Sequence, residues 1–151
     1  MKILIASDHA GFKLKNALFC FLKEKKFEVI DCGPDKLELE DDYPDFVAPV
    51  AEEISTDESG KTFGIVIGGS GQGEAITANK YPVIRAALYY GAPVKIITLS
   101  RDHNDANILS LGAFFLSEKT AKKAVRLWLK TKFSGQARHV RKINKIKKIE
   151  H

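Results

Sequence analysis

The chain has 151 residues, of which 44% are hydrophobic, and a net charge of +5. A chain of this length buries one sizeable core and is short for two, because domains usually run to roughly 100–200 residues, so residues 1–151 are predicted to form a single domain. No stretch reaches the roughly 18 apolar residues of a membrane span, and the N-terminus lacks the pattern of a signal peptide, which predicts a soluble, cytoplasmic protein without a membrane partner.

The first third of the chain begins with the pattern of a strand, a helix and a strand. Lys2–Ser7 is a short β-branched run typical of a buried parallel strand. Apolar residues at helical spacing predict a helix over Phe12–Lys26, with its lysines on the opposite, solvated side. Phe27–Cys32 is predicted to be a second strand, because a Gly-Pro pair stops it. Cys20 and Cys32 fit neither a disulfide framework nor a zinc site, and they are predicted to be reduced and mostly buried.

The middle of the chain contains a loop, two helices and a strand. Residues 35–45 are acidic, include a proline and lack periodicity, so a loop is predicted, followed by a helix over about residues 45–54. Residues 63–67 (FGIVI) are strongly strand-like and lead directly into a glycine-rich turn. The next helix is predicted to begin within residues 74–79 and to end before Pro82.

Two further strands and a helix follow. Val83–Tyr90 and Ile108–Leu116 are predicted to be the fourth and fifth strands. The segment between them, residues 93–100, is strand-like by local propensity, but a connection between two parallel strands requires a crossover, so we predict a helix there. Ser117 is predicted to cap a helix that runs to Lys132. This alternation of strands and helices predicts an open α/β sheet with helices on both faces.

The surplus of positive charge lies in the last 16 residues. They hold six lysines and arginines against one acid, while the rest of the chain is balanced at 18 basic and 18 acidic residues. Val140, Ile143, Ile146 and Ile149 recur every third residue there, which is typical of an amphipathic helix docked by one face. We therefore predict a packed helix whose basic face is solvated and partly serves an anionic ligand, and we predict no nucleic-acid partner.

Two candidate functional residues follow the first strand, where open α/β sheets bind ligands. Asp8 and His9 can do acid–base chemistry or hold a hydroxylated ligand, and the N-terminus of the next helix favours a nearby anion. An aspartate that caps a helix beside a surface histidine explains the pair equally well. The residues alone leave both interpretations open.

A glycine-rich loop follows the third strand, with the sequence Gly68-Gly69-Ser70-Gly71-Gln72-Gly73-Glu74. Its glycines leave backbone N–H groups free to approach an anion or a developing oxyanion. No Gly-Lys-Ser/Thr follows, so the loop is not a P-loop, and a glutamate replaces the third glycine of the dinucleotide fingerprint, so NAD is not predicted. Glu74 is either a dipole-stabilised helix cap or a base that removes a proton next to a carbonyl.

Two polar clusters lie nearer the C-terminus. Residues 101–107 (RDHNDAN) are either ordinary turn chemistry or a source of a general acid and of amide donors for sugar hydroxyl groups. Arg138, Arg141 and Lys142, beside His139, place cations at positions i, i+3 and i+4 of one helical face. That arrangement can bind a phosphate group.

Six motifs, taken together and in order, resemble the successive signatures of the ribose-5-phosphate isomerase type B family. Each is weak alone, but they extend over nearly the whole chain. The motifs are SDHAG at 7–11, DYPDF at 42–46, GGSGQGE with AITANK at 68–80, IRAAL at 84–88, HNDAN at 103–107 and Arg138-His139.

The resemblance implies a fold, an assembly and a reaction. The fold would be a single-domain, three-layer, Rossmann-like α/β structure with a five-stranded parallel sheet and a C-terminal helix. The assembly would be a homodimer or tetramer whose active sites are shared between subunits, with residues 133–151 packed on the partner. The enzyme would interconvert ribose 5-phosphate and ribulose 5-phosphate through an enediolate, with no metal or organic cofactor.

The resemblance also implies roles for individual residues. Asp8 and His103 would open the furanose ring, Glu74 would be the base, and Ser70 with the backbone N–H groups of the glycine loop would stabilise the enediolate. Tyr43 would line the pocket. The other substrate-binding residues would be His9, Gly69, Gly71, Gln72, Gly73, Asn104, Arg138, Arg141 and Lys142.

Three positions depart from common family patterns. One branch carries a cysteine base where Gly68 stands here, and another carries a glutamate that Glu74 matches, so we assign the base to Glu74. The second phosphate-binding arginine, four residues after Arg138, is replaced by Lys142, which lacks the bidentate fork. Many members have an arginine in place of Phe114. The alternatives left open are isomerisation of a six-carbon sugar phosphate, of the allose or galactose 6-phosphate type, and a non-catalytic sugar-phosphate-binding module.

Overall fold

Five short apolar segments form one sheet in the computed structural model, which describes residues 1–91 and 93–150. All strand pairs are parallel, and their order is β2-β1-β3-β5-β4. The predicted five-stranded parallel sheet is therefore confirmed. The strands are β1 (Lys2–Ser7), β2 (Glu28–Asp31), β3 (Thr62–Gly68), β4 (Ala86–Tyr89) and β5 (Ile108–Gly112).

Six α-helices connect or follow the strands, and they agree with the predicted order of elements. Ser117 caps the fifth helix as predicted, since its Oγ accepts a hydrogen bond from the Thr120 backbone N–H at 3.1 Å. The helices are α1 (Phe12–Glu24), α2 (Tyr43–Thr56), α3 (Gln72–Ala78), α4 (Lys95–Asp102), α5 (Glu118–Lys130) and α6 (Ala137–Lys147).

The sheet is the middle layer of three. Side chains alternate along β1, so that Ile3 and Ile5 pack in one core with helices α1, α4 and α5, while Leu4 and Ala6 pack in a second core with α2 and α3. Both faces of the sheet are covered, as parallel sheets require. The arrangement is the single-domain, three-layer, Rossmann-like fold that the sequence predicted.

The ambiguous segment at residues 93–100 is helical. It forms most of α4, in agreement with the prediction, and it buries Ile97 in the first core. Local propensity favours a strand here, but the chain must cross from β4 to β5 in the parallel sense. The long-range requirement of the sheet therefore overrides the local preference.

Strands β4 and β5 are shorter than predicted. Val83 adopts a left-handed conformation with φ of 57°, and the Arg85 backbone N–H donates to the Asn107 side chain, so β4 begins only at Ala86. Strand β5 ends at Gly112, because the chain turns into a short 3₁₀ helix in which the Phe114 N–H donates to the Gly69 carbonyl. Both strands are thus cut short by contacts with distant loops.

Two predictions about burial are wrong. Cys20 is exposed, whereas Cys32 is half-buried and packs against the second core. Lys15, predicted to lie on the solvated side of α1, is 1% exposed, and its Nζ lies 2.5 Å from Asp31 Oδ2. The ion pair explains how a lysine is accommodated next to the sheet.

Helix α6 is present and Ile143 is half-buried, but the other apolar residues predicted to dock stay exposed. Val140, Ile146 and Ile149 are 36%, 48% and 71% exposed, and the buried residue of the helix is His139. The predicted docking by the apolar face is therefore not seen within one chain. Within the described residues, no helix combines the length and apolarity needed to cross a membrane.

Candidate active site

The carboxyl ends of β1 and β3 mark the point in the sheet where ligands bind in α/β folds. The chain leaves β1 towards β2 on one side, whereas β5 and β4 lie on the other side of β3. Such a reversal opens a crevice between the loops that follow the two central strands. Asp8 follows β1 and the glycine loop, residues 68–73, follows β3, so both predicted features meet at this crevice.

The side chain of Glu74 fills the space next to Gly68 at the end of β3. The Glu74 side chain folds back over the loop, so that a β-carbon on Gly68 would overlap its carboxylate. Glu74 is 3% exposed, and burial is the main reason why its pKa is raised above the usual range of a glutamate, with the charge of Asp8 adding to the effect. A buried carboxylate with a raised pKa is suited to accept a proton.

The glycine loop is held in place by hydrogen bonds from both sides. Gly71 has a φ of +74°, which suits glycine, and its carbonyl accepts a hydrogen bond from Ser110 Oγ at 2.6 Å. Ser70 Oγ accepts from the Gln72 backbone N–H at 3.3 Å. The loop is therefore preorganised before any ligand binds.

Aromatic side chains flank the glycine loop. A β-carbon on Gly73 would lie 2.5 Å from Cζ of Tyr43, and one on Gly69 would lie 2.6 Å from Cε2 of Phe114. The glycines thus allow both rings to lie directly on the backbone of the loop. Tyr43 thus lies against the loop on one side and Phe114 on the other.

Hydrogen bonds hold both Asp8 and His9, and those of His9 are made with Asp41. Asp8 is buried, and its Oδ1 accepts a hydrogen bond from the Gly11 N–H at 3.2 Å. Asp41 Oδ1 lies 2.6 Å from Nδ1 of His9 and also accepts from the His9 backbone N–H at 2.9 Å. The pKa of His9 is raised, and the hydrogen bond with Asp41 is the largest cause.

A second polar cluster lies at the amino edge of the sheet. The rings of His103 and His139 stack with centroids 4.2 Å apart and planes inclined by 16°. Asp102 lies 3.3 Å from Nε2 of His103. The pKa of His139 is lowered, chiefly by burial and then by the charges of His103 and Arg138. Burial and these charges therefore favour the neutral form of the His139 ring, which stacks on His103.

Four other predicted residues lie on the same two segments as this second cluster. Arg138 Nε lies 3.0 Å from the side-chain oxygen of Gln136 and 3.2 Å from Nε2 of His139. Asn104, Arg141 and Lys142 have exposed side chains. Their charge and amide groups face solvent, so they are free to meet a ligand or another chain.

The two clusters lie at opposite edges of the sheet. Residues 102–104 follow α4 and precede β5, whereas Asp8 and the glycine loop follow the ends of β1 and β3. Strand β5 is five residues long, which separates the edges by about 16 Å. One chain therefore brings Asp8, His9, Tyr43, Ser70 and Glu74 together, but it does not bring His103, Asn104 and Arg138 to them.

One group of side chains has the spacing of a metal site. Within the residues that the structure describes, one group of at least three acidic, histidine or cysteine side chains has ligand atoms that all lie within 4.8 Å of one another. It consists of Asp8, His9 and Asp41. Nδ1 of His9 is already engaged by Asp41 in an ion-pair geometry. The arrangement fits a charged hydrogen bond that orients the imidazole ring.

One functional residue and one contact of these clusters were not predicted from the sequence. Asp41 lies in a segment interpreted only as an acidic loop, and it meets His9 across 32 positions of the chain. His139 belongs to the predicted basic cluster of α6, but its stacking on His103 depends on where α6 returns to the sheet. Neither contact leaves a periodic signal in the sequence.

Comparison with known proteins gives consistent similarities over almost the entire chain. A family model described as Ribose/Galactose Isomerase matches residues 3–146. Ribose-5-phosphate isomerase B of Mycolicibacterium paratuberculosis is 36% identical over 150 residues, which are 99% of this chain and 92% of that protein.

Two solved structures are similar in fold and sequence. Ribose-5-phosphate isomerase B from Mycoplasma genitalium, solved with bound ribulose-5-phosphate, has a TM-score of 0.93 and 41% identity, covering 99% of this chain and 95% of that one. The enzyme from Clostridium thermocellum has a TM-score of 0.91 and 46% identity, covering 99% and 97%.

Proposed function

The chain belongs to the Ribose/Galactose Isomerase family, and we propose that it interconverts ribose 5-phosphate and ribulose 5-phosphate with Glu74 as the catalytic base. The observation that carries the assignment of the base is the buried Glu74 carboxylate, which takes the place of a side chain at Gly68. It lies beside the backbone of the glycine loop, where a sugar carbonyl can be polarised.

The reaction moves one proton between neighbouring carbons. In the open-chain aldose, Glu74 removes the proton from C2, and the electron pair forms the C1–C2 double bond of an enediolate. Glu74 then returns the proton to C1, while the hydroxyl proton of C2 passes to the oxygen on C1. The ketose results without any net change in oxidation state or any co-reactant, so one carboxylate carries out both steps.

The glycine loop is suited to stabilise the intermediate. The backbone N–H groups of residues 71–74 open the N-terminus of α3, and the hydrogen bonds to Gly71 and Ser70 fix their direction. Preorganised donors of this kind lower the energy of a developing negative oxygen, and losing one typically costs roughly a hundredfold to a thousandfold in rate. Ser70 adds a hydroxyl group beside them.

Ring opening requires a second chain in this proposal. Asp8 lies at the carboxyl edge, whereas His103 and the hydroxyl-binding Asn104 lie at the amino edge, about 16 Å away. A homodimer in which the amino edge of one subunit meets the carboxyl edge of its partner would complete the site. The exposed apolar residues of α6, including Val140 and Ile146, supply a surface for that contact, and tetramers would pair such dimers.

The phosphate group would be held between the same two edges. His9 provides a cation at the carboxyl edge, and Arg138, Arg141 and Lys142 provide cations on α6 of the other subunit. Lysine contributes positive charge but cannot donate two parallel hydrogen bonds, so Arg138 is the residue that would orient the phosphate group. Action in the cytoplasm stays a prediction.

The decisive experiment is a coupled assay of ribulose 5-phosphate formation from ribose 5-phosphate, with EDTA present. We expect Glu74→Gln to lower kcat by at least about a hundredfold, because the amide has nearly the same shape but cannot accept the proton. The matched control is Glu58→Gln, which makes the same chemical change at an exposed position. Near-full turnover by Glu74→Gln would show that another group is the base.

The same assay separates the alternatives. Turnover of allose or galactose 6-phosphate that exceeds turnover of ribose 5-phosphate at matched concentration would assign a six-carbon substrate to the same site. Binding of the sugar phosphates without turnover, unaffected by Glu74→Gln, would indicate a non-catalytic module.

A further inference from the structure

We propose that Asp41 is a positioning residue for His9: it orients the imidazole ring at the carboxyl edge and holds it as an imidazolium that binds the substrate's phosphate group. The inference rests on the proposed function, because it concerns the phosphate-binding part of that site. It adds a residue that lies outside the predicted motifs and acts only through another side chain.

The geometry shows how Asp41 orients His9. One carboxylate oxygen, Oδ1, accepts from the His9 backbone N–H at 2.9 Å and lies 2.6 Å from Nδ1 of the same residue. The main chain and the ring are thus fixed by a single atom, which removes rotation about the side-chain bonds. The His9 side chain keeps 36% of its surface exposed, so its other nitrogen, Nε2, remains accessible to a ligand.

The surroundings of Asp41 favour a cation beside it. Its side chain is only 9% exposed, and Oδ2 is buried with no hydrogen-bond partner among the described residues. A buried carboxylate is costly unless a positive charge lies next to it. His9 is the group in contact with Asp41. The other charged group that acts on His9 is Asp8, which is also an acid. Asp41 and Asp8 therefore both raise the pKa of His9, whereas burial lowers it.

The protonation state of His9 decides whether it can bind an anion. With Nδ1–H donated to Asp41, a neutral ring leaves a lone pair on Nε2, which repels a phosphate oxygen. The imidazolium instead presents an N–H at Nε2 and a positive charge. Asp41 therefore determines whether His9 can bind the phosphate group, although Asp41 itself does not contact the substrate.

The test compares Asp41→Asn with Asp42→Asn, using the full chain and inorganic phosphate as the probe. Asp42 is exposed, follows Asp41 in the chain and makes no hydrogen bond to His9 in the structure. Asp42→Asn therefore removes the same negative charge one residue away from Asp41. NMR titration of labelled histidine follows the pKa of His9, whose signals are identified among the four histidines by a His9→Gln variant. Phosphate affinity is measured in parallel at several pH values.

We expect Asp41→Asn to lower the pKa of His9 and to weaken phosphate binding by roughly threefold to tenfold at about pH 7.5. The loss should shrink at about pH 5.5, where the ring is protonated in both proteins. Asp42→Asn should change neither quantity. A merely structural role of Asp41 would weaken binding equally at both pH values, and that result would overturn the inference.

Further readouts keep the inference separate from the proposed function and from misfolding. With active enzyme, Asp41→Asn should raise KM more than it lowers kcat, and Asp41→Glu should recover part of the phosphate affinity. A wild-type protein that binds phosphate through His9 but does not isomerise ribose 5-phosphate would refute the isomerase and leave Asp41 in its role. A wild type whose His9 signals do not respond to phosphate would refute the role of Asp41 itself.

Discussion

The carboxylate of Glu74 occupies the volume that a side chain on residue 68 would fill, so Gly68 and Glu74 are a matched pair. Gly68→Ala should therefore displace the Glu74 carboxylate and lower kcat/KM by roughly a hundredfold, because small misplacements of a reacting group are that costly. Steady-state kinetics on ribose 5-phosphate measure the effect. The double variant Gly68→Ala/Glu74→Gln should be little worse than Glu74→Gln alone, and additive losses would contradict a shared volume.

The acid side of the pH–rate profile should report Glu74. Burial raises the pKa of this carboxyl group, so the base becomes protonated, and activity is lost, as the pH falls through a value above the ordinary glutamate range of about 4.3. The measurement is kcat/KM for ribose 5-phosphate across the acid range, within the limits of protein stability. A profile that stays flat down to an ordinary glutamate pKa would argue against Glu74 as the base.

A shared active site predicts complementation between two inactive chains. In a hybrid dimer of Glu74→Gln and His103→Asn chains, one site carries both changes and the other carries neither, so about half of the wild-type activity should return. Co-expression with two affinity tags yields the hybrid for the assay. If each site lay within one chain, every site of the hybrid would carry one change, and activity would stay at the parental level.

The ion pair between the buried Lys15 and the partly exposed Asp31 should be important for stability. Removing the carboxylate by Asp31→Asn leaves a buried ammonium without its partner, and we expect a loss of about 2–3 kcal/mol, reduced from the fully buried case because Asp31 is 31% exposed. Urea unfolding measures it. Lys15→Met combined with Asp31→Asn should recover most of the loss, and Lys13→Met, on the exposed side of α1, is the control.

The cap of α5 offers a second stability test. Ser117→Ala removes the acceptor for the Thr120 N–H and should lower the free energy of unfolding by about 1 kcal/mol. Ser117→Gly should lower the free energy of unfolding by only about 0.3 kcal/mol, because glycine leaves the helix end open to water. Equal losses for the two variants in thermal or urea unfolding would indicate that the hydroxyl group does not cap the helix.

Much of the fold could be predicted because it repeats a simple physical pattern. Runs of β-branched residues and helical apolar stripes mark the strands and helices, and the requirement for a crossover corrects the one segment, residues 93–100, where local propensity misleads. The predictions that were wrong, for Lys15 and Cys20, concern which face of a helix meets the sheet. That depends on a partner such as Asp31 on another element.

The sequence by itself determined the α/β architecture and the placement of Asp8, His9 and the glycine loop at strand ends, because the alternation and order of strands and helices are patterns carried along the chain. Only the tertiary structure decided that Glu74 fills the space above Gly68, that Asp41 holds His9, and that His103 stacks on His139 at the opposite edge. Those contacts join residues far apart in sequence, and their geometry depends on how helices pack across the sheet, which no short motif encodes.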